Sequence, residues 1–258
     1  MAYWRKTWIF QDSIEHEIGF AGKYGKKGEK RQERQKKTPD QMRLQNVLNK
    51  ANRIRRLIKA NFKENDLWVT LTVTKENRRP MEEIKKELRK FLNNMRRKYK
   101  KEGIPLKYIY LIEIGKKGGI HVHMVMNRCI ERPPDVLIYK YWKLGHPDIR
   151  LLYSEGGFAR LANYLSNMPT QDDRDDGKKK SRENAEECFN TSRNLIRPKP
   201  ERKRYRRWTA EKMIKEGPKP KKGYYIDKES IRTGINKVTG YSYLYYTEVR
   251  ETNGRKNE

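Results

Sequence analysis

Apolar and polar positions alternate strictly from Leu67 to Thr74, with Leu67, Val69, Leu71 and Val73 on one side and Trp68, Thr70, Thr72 and Thr74 on the other. This is the period of a half-buried strand whose second face is rich in hydroxyls. The period then lengthens. Met81, Ile84, Leu88, Phe91, Leu92, Met95 and Tyr99 recur at helical spacing, Pro80 stands at the first helical position with Glu82 and Glu83 in the first turn, and Gly103 lies past the end. A helix over 81–101 is therefore predicted. An earlier basic amphipathic helix is predicted over 40–60, with Leu44, Val47, Leu48, Ala51, Ile54 and Ile58 at helical spacing and Arg53, Arg55, Arg56 and Lys59 elsewhere around it. Two apolar runs, Tyr108 to Ile114 and Ile120 to Met126, flank Gly115-Lys-Lys-Gly-Gly119 and read as a hairpin. The resulting β-α-β-β order begins a ferredoxin-like arrangement. The expected class is α+β, a largely antiparallel sheet with helices on one face.

The second run of the hairpin holds two of the chain's four histidines, His121 and His123. Residues two apart in a strand point to one face, so both imidazoles project together while Val122 and Met124 face the core. The loop decides whether Glu113 joins them. An odd loop centred on Lys117 sets Glu113 opposite His121 on the same face; a two-residue turn sets it opposite Val122, facing away. The odd loop is expected. Two imidazoles and one carboxylate make a mixed nitrogen and oxygen site suited to Mg²⁺ or Mn²⁺ polarising a phosphate, on the sheet face opposite the helices. The bland alternative is a pair of half-buried strand histidines with no ligand.

The stretch from Gly156 to Met168 reads as a helix with Phe158, Leu161, Ala162, Leu165 and Met168 on its apolar face. Tyr164 falls at the edge of that face, near Arg160 and Asn167. A tyrosine there can pack its ring or present its hydroxyl as a nucleophile.

Taken in order, the strand Trp68-Val-Thr-Leu-Thr72, the His121-Val-His123 strand preceded by Glu113, and the helix with Tyr164 resemble the three motifs of the HUH (His-hydrophobic-His) endonucleases. The likeness is to rolling-circle replication initiators of bacterial plasmids and phages. It covers about residues 66–170, and the Tyr-Trp-Arg-Lys start and Ser192-Arg-Asn-Leu also look like such proteins. The resemblance implies a ferredoxin- or RRM-like nuclease core in which Glu113, His121 and His123 bind a divalent metal. It also implies that Tyr164 attacks a phosphate of single-stranded DNA, leaving a 5′-phosphotyrosine and a free 3′-OH that primes replication. Many relatives carry a lysine three residues after the tyrosine; here that position is Asn167, and Arg160 is the substitute cation. Thr70, Thr72 and the run Lys178-Lys179-Lys180 are further candidates for DNA contact or transition-state support.

Charge agrees with a polyanionic partner. Lys and Arg number 62 against 33 Asp and Glu, a formal net charge of +29, which favours nucleic acid. The expected partner is single-stranded DNA at a replication origin, in hairpin form. No Gly-x-x-x-x-Gly-Lys-Ser/Thr loop occurs, so helicase and polymerase are expected from separate genes. No apolar run approaches the roughly 20 residues of a spanning helix, and the N-terminus lacks a signal-peptide pattern, so no membrane is expected and the location is the bacterial cytosol. Cys129 and Cys188 lack disulfide or zinc spacing. The chain divides into a basic arm and amphipathic helix (1–65), the nuclease core (66–170), and a basic linker with an α/β extension (171–258), in which Tyr205-Arg-Arg-Trp208 and a hairpin over 223–249 interleave basic and aromatic residues. A relaxase or single-tyrosine transposase fits the same motifs. A non-catalytic RRM-like RNA-binding protein is the alternative from another class, although such a sheet should expose aromatics where this one exposes His121, His123 and Glu113.

Overall fold

The computed structural model of the chain describes residues 3–22, 31–34, 36–115, 118–129, 133–152, 158, 161–162, 165, 189–206 and 210–251. The chain divides into two compact units, a central one from Leu44 to Arg197 and a terminal one made of Met1–Arg43 with Pro198–Glu258. Helix α1 (Pro39–Asn61) crosses the boundary.

The central unit runs β3 (Leu67–Thr72), α2 (Met81–Lys101), β4 (Tyr108–Ile114), β5 (Ile120–Met126), α3 (Pro134–Tyr141), β6 (Pro147–Leu151) and a short β7 (Asn190–Thr191). Its strands lie in the order β6-β3-β5-β4-β7, every neighbouring pair antiparallel. The predicted β-α-β-β start thus continues as β-α-β-β-α-β, with the second β-α return placing β6 beside β3. This is a ferredoxin-like core of α+β class.

Helix α2 forms because its apolar residues make one stripe, and all six positions from Ile84 through Leu88, Phe91, Leu92 and Met95 to Tyr99 are buried. They pack on Leu67, Val69, Leu71, Val122 and Met124, the inward set of β3 and β5. Each such side chain contributes roughly 1.5–3 kcal/mol. The helix stops at Gly103, whose φ of 70° favours glycine, and the Ile104 N–H donates to the Tyr99 carbonyl at 3.1 Å.

The other face of the sheet is not bare, which corrects the expectation of helices on one face only. Ile54, Leu57 and Ile58 of α1 bury Ile109, Leu111 and Val125 there, together with Phe158, Ala162 and Leu165. The reason is composition along the strands. On that face one end is apolar and must be covered, whereas Glu113 and His121 occupy the other end.

The terminal unit is a second antiparallel sheet, built from β1 (Tyr3–Ile9), β2 (Ser13–Phe20), β8 (Glu201–Tyr205), β9 (Tyr224–Asn236) and β10 (Tyr241–Arg250). Its strand order is β8-β1-β2-β10-β9. Helix α4 (Ala210–Glu216) packs on one face through Ala210, Met213 and Ile214. The segment expected as a basic arm therefore contributes two strands, and residues 189–197 sit in the central unit rather than in an extension. Arg5, Thr7 and His16 on the inner face of β1 and β2 break the apolar alternation by which a strand is recognised.

Those polar residues form a buried cluster. Arg5 Nε donates to His16 Nδ1 at 3.1 Å, Arg5 Nη2 donates to the Tyr246 hydroxyl at 3.1 Å, and His16 Nε2 lies 2.9 Å from Glu248 Oε1. Burial, reinforced by the Arg5 guanidinium, pushes His16 down to about 3, and a donor at Nδ1 requires the neutral ring with its proton on Nε2, facing Glu248. The unfolded chain takes up a proton at an ordinary imidazole pKa of about 6.5, the folded one only near 3. Stability from this site is therefore full above about pH 6.5 and is lost as pH falls toward 3. Thermal melts from pH 7 to 4 should show the wild type losing more stability than His16→Gln; parallel losses would remove His16 as a source of acid sensitivity.

Candidate active site

The hairpin loop closes with Gly115 N–H donating to the Gly119 carbonyl at 2.7 Å and Gly118 N–H to the Gly115 carbonyl at 2.8 Å. Gly118 has φ of 72°, a conformation costly for any residue with a Cβ. The register that follows pairs Glu113 with His121 and Leu111 with His123, while Thr72 and Thr70 of β3 pair with the same two histidines from the other side. This is the odd-loop register, and it puts Glu113, His121 and His123 on one face.

Within that face His123 Nε2 lies 3.1 Å from Glu113 Oε2, and the two imidazole centroids are 6.1 Å apart. His123 is buried and His121 half-buried. Burial holds the His121 pKa below its ordinary value, with His123 adding to the depression and Glu113 opposing it. A neutral imidazole is the form that ligates metal. Among the described residues no three His, Cys, Asp or Glu side chains converge as a metal cluster in this conformation: Glu113 and His123 form a pair with His121 alongside. The donor set itself, two ring nitrogens and a carboxylate from adjacent strands, has the chemistry of a mixed N/O metal site.

Two other residues on this face are committed to structure. Thr70 Oγ1 is 3.3 Å from His123 Nδ1, so it orients the ring from behind. Thr72 Oγ1 donates to the His146 carbonyl at 2.7 Å and accepts from the His146 N–H at 3.0 Å. The expectation that these hydroxyls contact DNA is thereby replaced by positioning roles, since hydroxyls flanked by strand neighbours bond within the fold first. Tyr164, Arg160, Asn167, Lys178, Lys179 and Lys180 lie outside the described residues. Phe158, Ala162 and Leu165, which bracket position 164 in the chain, pack with Leu111 and Val125 on the face that carries the histidines.

Two neighbours escaped the sequence reading. Trp68 stacks on His123 with centroids 5.7 Å apart and planes 10° from parallel; its place two residues before Thr70 was the available signal. Arg78, in the turn between β3 and α2, brings Nη1 within 3.6 Å and Nη2 within 3.8 Å of where Cβ atoms on Gly118 and Gly119 would stand, and the Gly119 position is itself 3.4 Å from His121 Nε2. A guanidinium thus borders the histidine end of the sheet. Nothing in the pattern of a connecting turn could have placed it there.

Residues 66–169 match a family model of replication-associated proteins, the ORF2 group. The matched segment spans β3 through β6 and includes Glu113, His121, His123 and Tyr164. No curated protein and no solved structure matches the chain. The match supports a role in initiating replication, and among the described residues no helix is long and apolar enough to cross a membrane.

The loop that carries His146 approaches β3 so closely that a Cβ on Gly145 would stand 2.3 Å from the Thr72 carbonyl oxygen. Gly145→Ala must displace that loop and its two bonds to Thr72, and a loss of about 1–3 kcal/mol is expected in urea unfolding. Wild-type stability in this variant would show that the contact can relax at no cost.

Proposed function

We propose that the chain is a Rep-type initiator of rolling-circle replication, a site-specific endonuclease and strand transferase acting on single-stranded DNA at an origin. The observation that carries this reading is the register of the β4–β5 hairpin, which gathers Glu113, His121 and His123 on one face within the segment that matches the replication-associated family. A divalent ion, Mg²⁺ or Mn²⁺, would be held by those three residues and would supply Lewis-acid polarisation of a phosphate oxygen.

The chain's own contributions follow from their chemistry. The Tyr164 hydroxyl oxygen attacks phosphorus, an O–P bond to tyrosine forms, and the bond from phosphorus to the 3′ oxygen breaks. The phenol loses a proton and the departing 3′ oxygen gains one, leaving a 5′-phosphotyrosine and a free 3′-OH. One phosphoester replaces another, so bond energy is retained and no nucleotide hydrolysis is needed. Thr70 and Trp68 hold the His123 ring in one orientation, as residues behind a ligand commonly do. Arg78 and Arg160 are the cations that replace the motif lysine, stabilising charge on the phosphate. The partners are origin DNA and a separately encoded helicase and polymerase, in the bacterial cytosol.

The deciding experiment is a denaturing gel of the protein incubated with single-stranded origin DNA, with and without Mn²⁺ or Mg²⁺. A covalent band that requires the metal supports the reading; binding without any adduct favours a non-catalytic nucleic-acid protein. His121→Ala and His123→Ala should each abolish the adduct while retaining most DNA affinity, which comes from Lys and Arg, and Glu113→Gln should weaken it less completely. Normal cleavage by both histidine variants would place the site elsewhere. Thr70→Val should lower activity about 10- to 100-fold if it acts through His123.

Tyr164→Phe should bind origin DNA normally, keep the fold and form no adduct. Mass spectrometry that located the DNA on Tyr139, Tyr141 or Tyr153 would overturn the assignment. Arg160→Ala and Arg78→Ala separate the two cation candidates: whichever stabilises transition-state charge should slow cleavage by roughly 10- to 1000-fold, and undiminished rates in both would point to residues 178–180.

A further inference from the structure

The sheet of the terminal unit has two unlike faces. Alternation along the strands puts Tyr3, Ile18, Leu244 and Tyr246 on the side that packs against α4, and the residues between them on the other side. Across that second face the antiparallel registers align two rows. In the first, Arg204 pairs with Trp4 and Trp4 with Gly19, and on the far side of β2 Tyr243 pairs with Gly234. In the second, Lys6 and Tyr245 both pair with Glu17, and they are flanked by Arg202 and Arg232 on the outer strands.

The details of the first row define a slot. The Arg204 guanidinium lies over the Trp4 ring at 4.5 Å, and the Tyr243 ring leans the opposite way, its hydroxyl 3.0 Å from where a Cβ on Gly234 would stand. Between them, a Cβ on Gly19 would meet nothing within 4 Å. Trp4 and Tyr243 belong to the strands on either side of β2, so they stand roughly 10 Å apart, two strand spacings, over a floor of bare backbone. Tyr245, 38% exposed, continues the aromatic surface and lies 5.2 Å from Tyr243 between ring centroids. Arg202, Arg204 and Arg232 are exposed at the edges of the rows, and the single carboxylate among these residues, Glu17, lies 3.7 Å from Lys6.

We propose that this face binds single-stranded DNA, with bases entering the glycine-floored slot beside Trp4 and Tyr243, stacking on these rings and Tyr245, and phosphates running along the arginines. The combination of exposed rings in line with cations is what unpaired bases on a polyanionic backbone require, and it does not suit a duplex, whose bases are already stacked. The surface stands on its own residues; the choice of DNA over RNA rests on the function proposed above. It gives the protein a hold on the strand separate from the Glu113, His121 and His123 face.

The test uses the full chain, fluorescein-labelled oligo(dT), and chelator in place of metal, so that the outcome does not depend on cleavage. Salt is raised until binding through scattered Lys and Arg is suppressed. Gly19→Val fills the slot at a position where a side chain meets no neighbour, so it should fold and melt like the wild type yet bind oligo(dT) at least about 10-fold more weakly. Trp4→Ala with Tyr245→Ala should lose about 10- to 100-fold, and Trp4→Phe with Tyr245→Phe should recover most of it. Binding to a duplex of equal length should change little in any of them. Wild-type affinity in folded Gly19→Val and in the double alanine variant would overturn the proposal. Tighter binding of oligo(U) than of oligo(dT) by tenfold or more would overturn the choice of DNA. An absent adduct in the metal-dependent gel, with these affinities as expected, would reject the nicking reading and leave this surface standing.

Discussion

The pleat of the β4–β5 hairpin is the constraint on which the central unit depends. Because side chains alternate with a period of two, the loop over 115–119 assigns every residue of β5 to a face at once. In the observed register Val122, Met124 and Met126 meet the α2 stripe and His121, His123 and Glu113 meet each other. A slip by one residue would drive ionisable groups into the α2 interface and expose the methionines and valine, a loss on both faces. The packing of the core and the assembly of the site are therefore one choice, made by Gly118 and the odd length of the loop.

The site face is graded along its strands. At one end Trp68, Val125 and Ile109 are covered by α1 and by Phe158, Ala162 and Leu165. At the other end Thr72, His121 and Glu113 form the last polar row. His123 lies between these zones, stacked on Trp68, bonded to Thr70 and close to the Glu113 carboxylate. Burial strengthens these polar contacts because water competes for them less. It also restricts the ring to one orientation, the condition a reactive constellation requires.

The terminal unit puts a similar sheet to another use. Its inner face holds apolar residues beneath α4 next to a buried polar cluster of Arg5, His16, Tyr246 and Glu248. Its outer face lines up rings and arginines. The net charge of +29 thereby gains a local arrangement: in addition to general attraction for a polyanion, the chain has a surface where cations and aromatic rings stand in register.

The sequence by itself was enough for elements whose pattern is local. The strict alternation from Leu67, the α2 stripe ending before Gly103 and the two runs of the hairpin are each legible within a few turns or pleats, because side-chain direction follows from backbone period alone. The HUH pair and Glu113 were legible for the same reason, once an odd loop was assumed. What only the tertiary structure decided involves partners distant in the chain. β1 and β2 find β8 and β10 from the opposite end, and their inner face carries Arg5, Thr7 and His16, so no apolar alternation announced them. Thr70 and Thr72 looked available from their strand alone, yet one is bonded to His123 and the other to the His146 backbone, which arrives from the loop before β6. Arg78 reaches the His121 edge because the turn before α2 folds against the hairpin loop. Local period sets where a side chain points; which group it meets depends on the packing of segments that the local pattern does not relate.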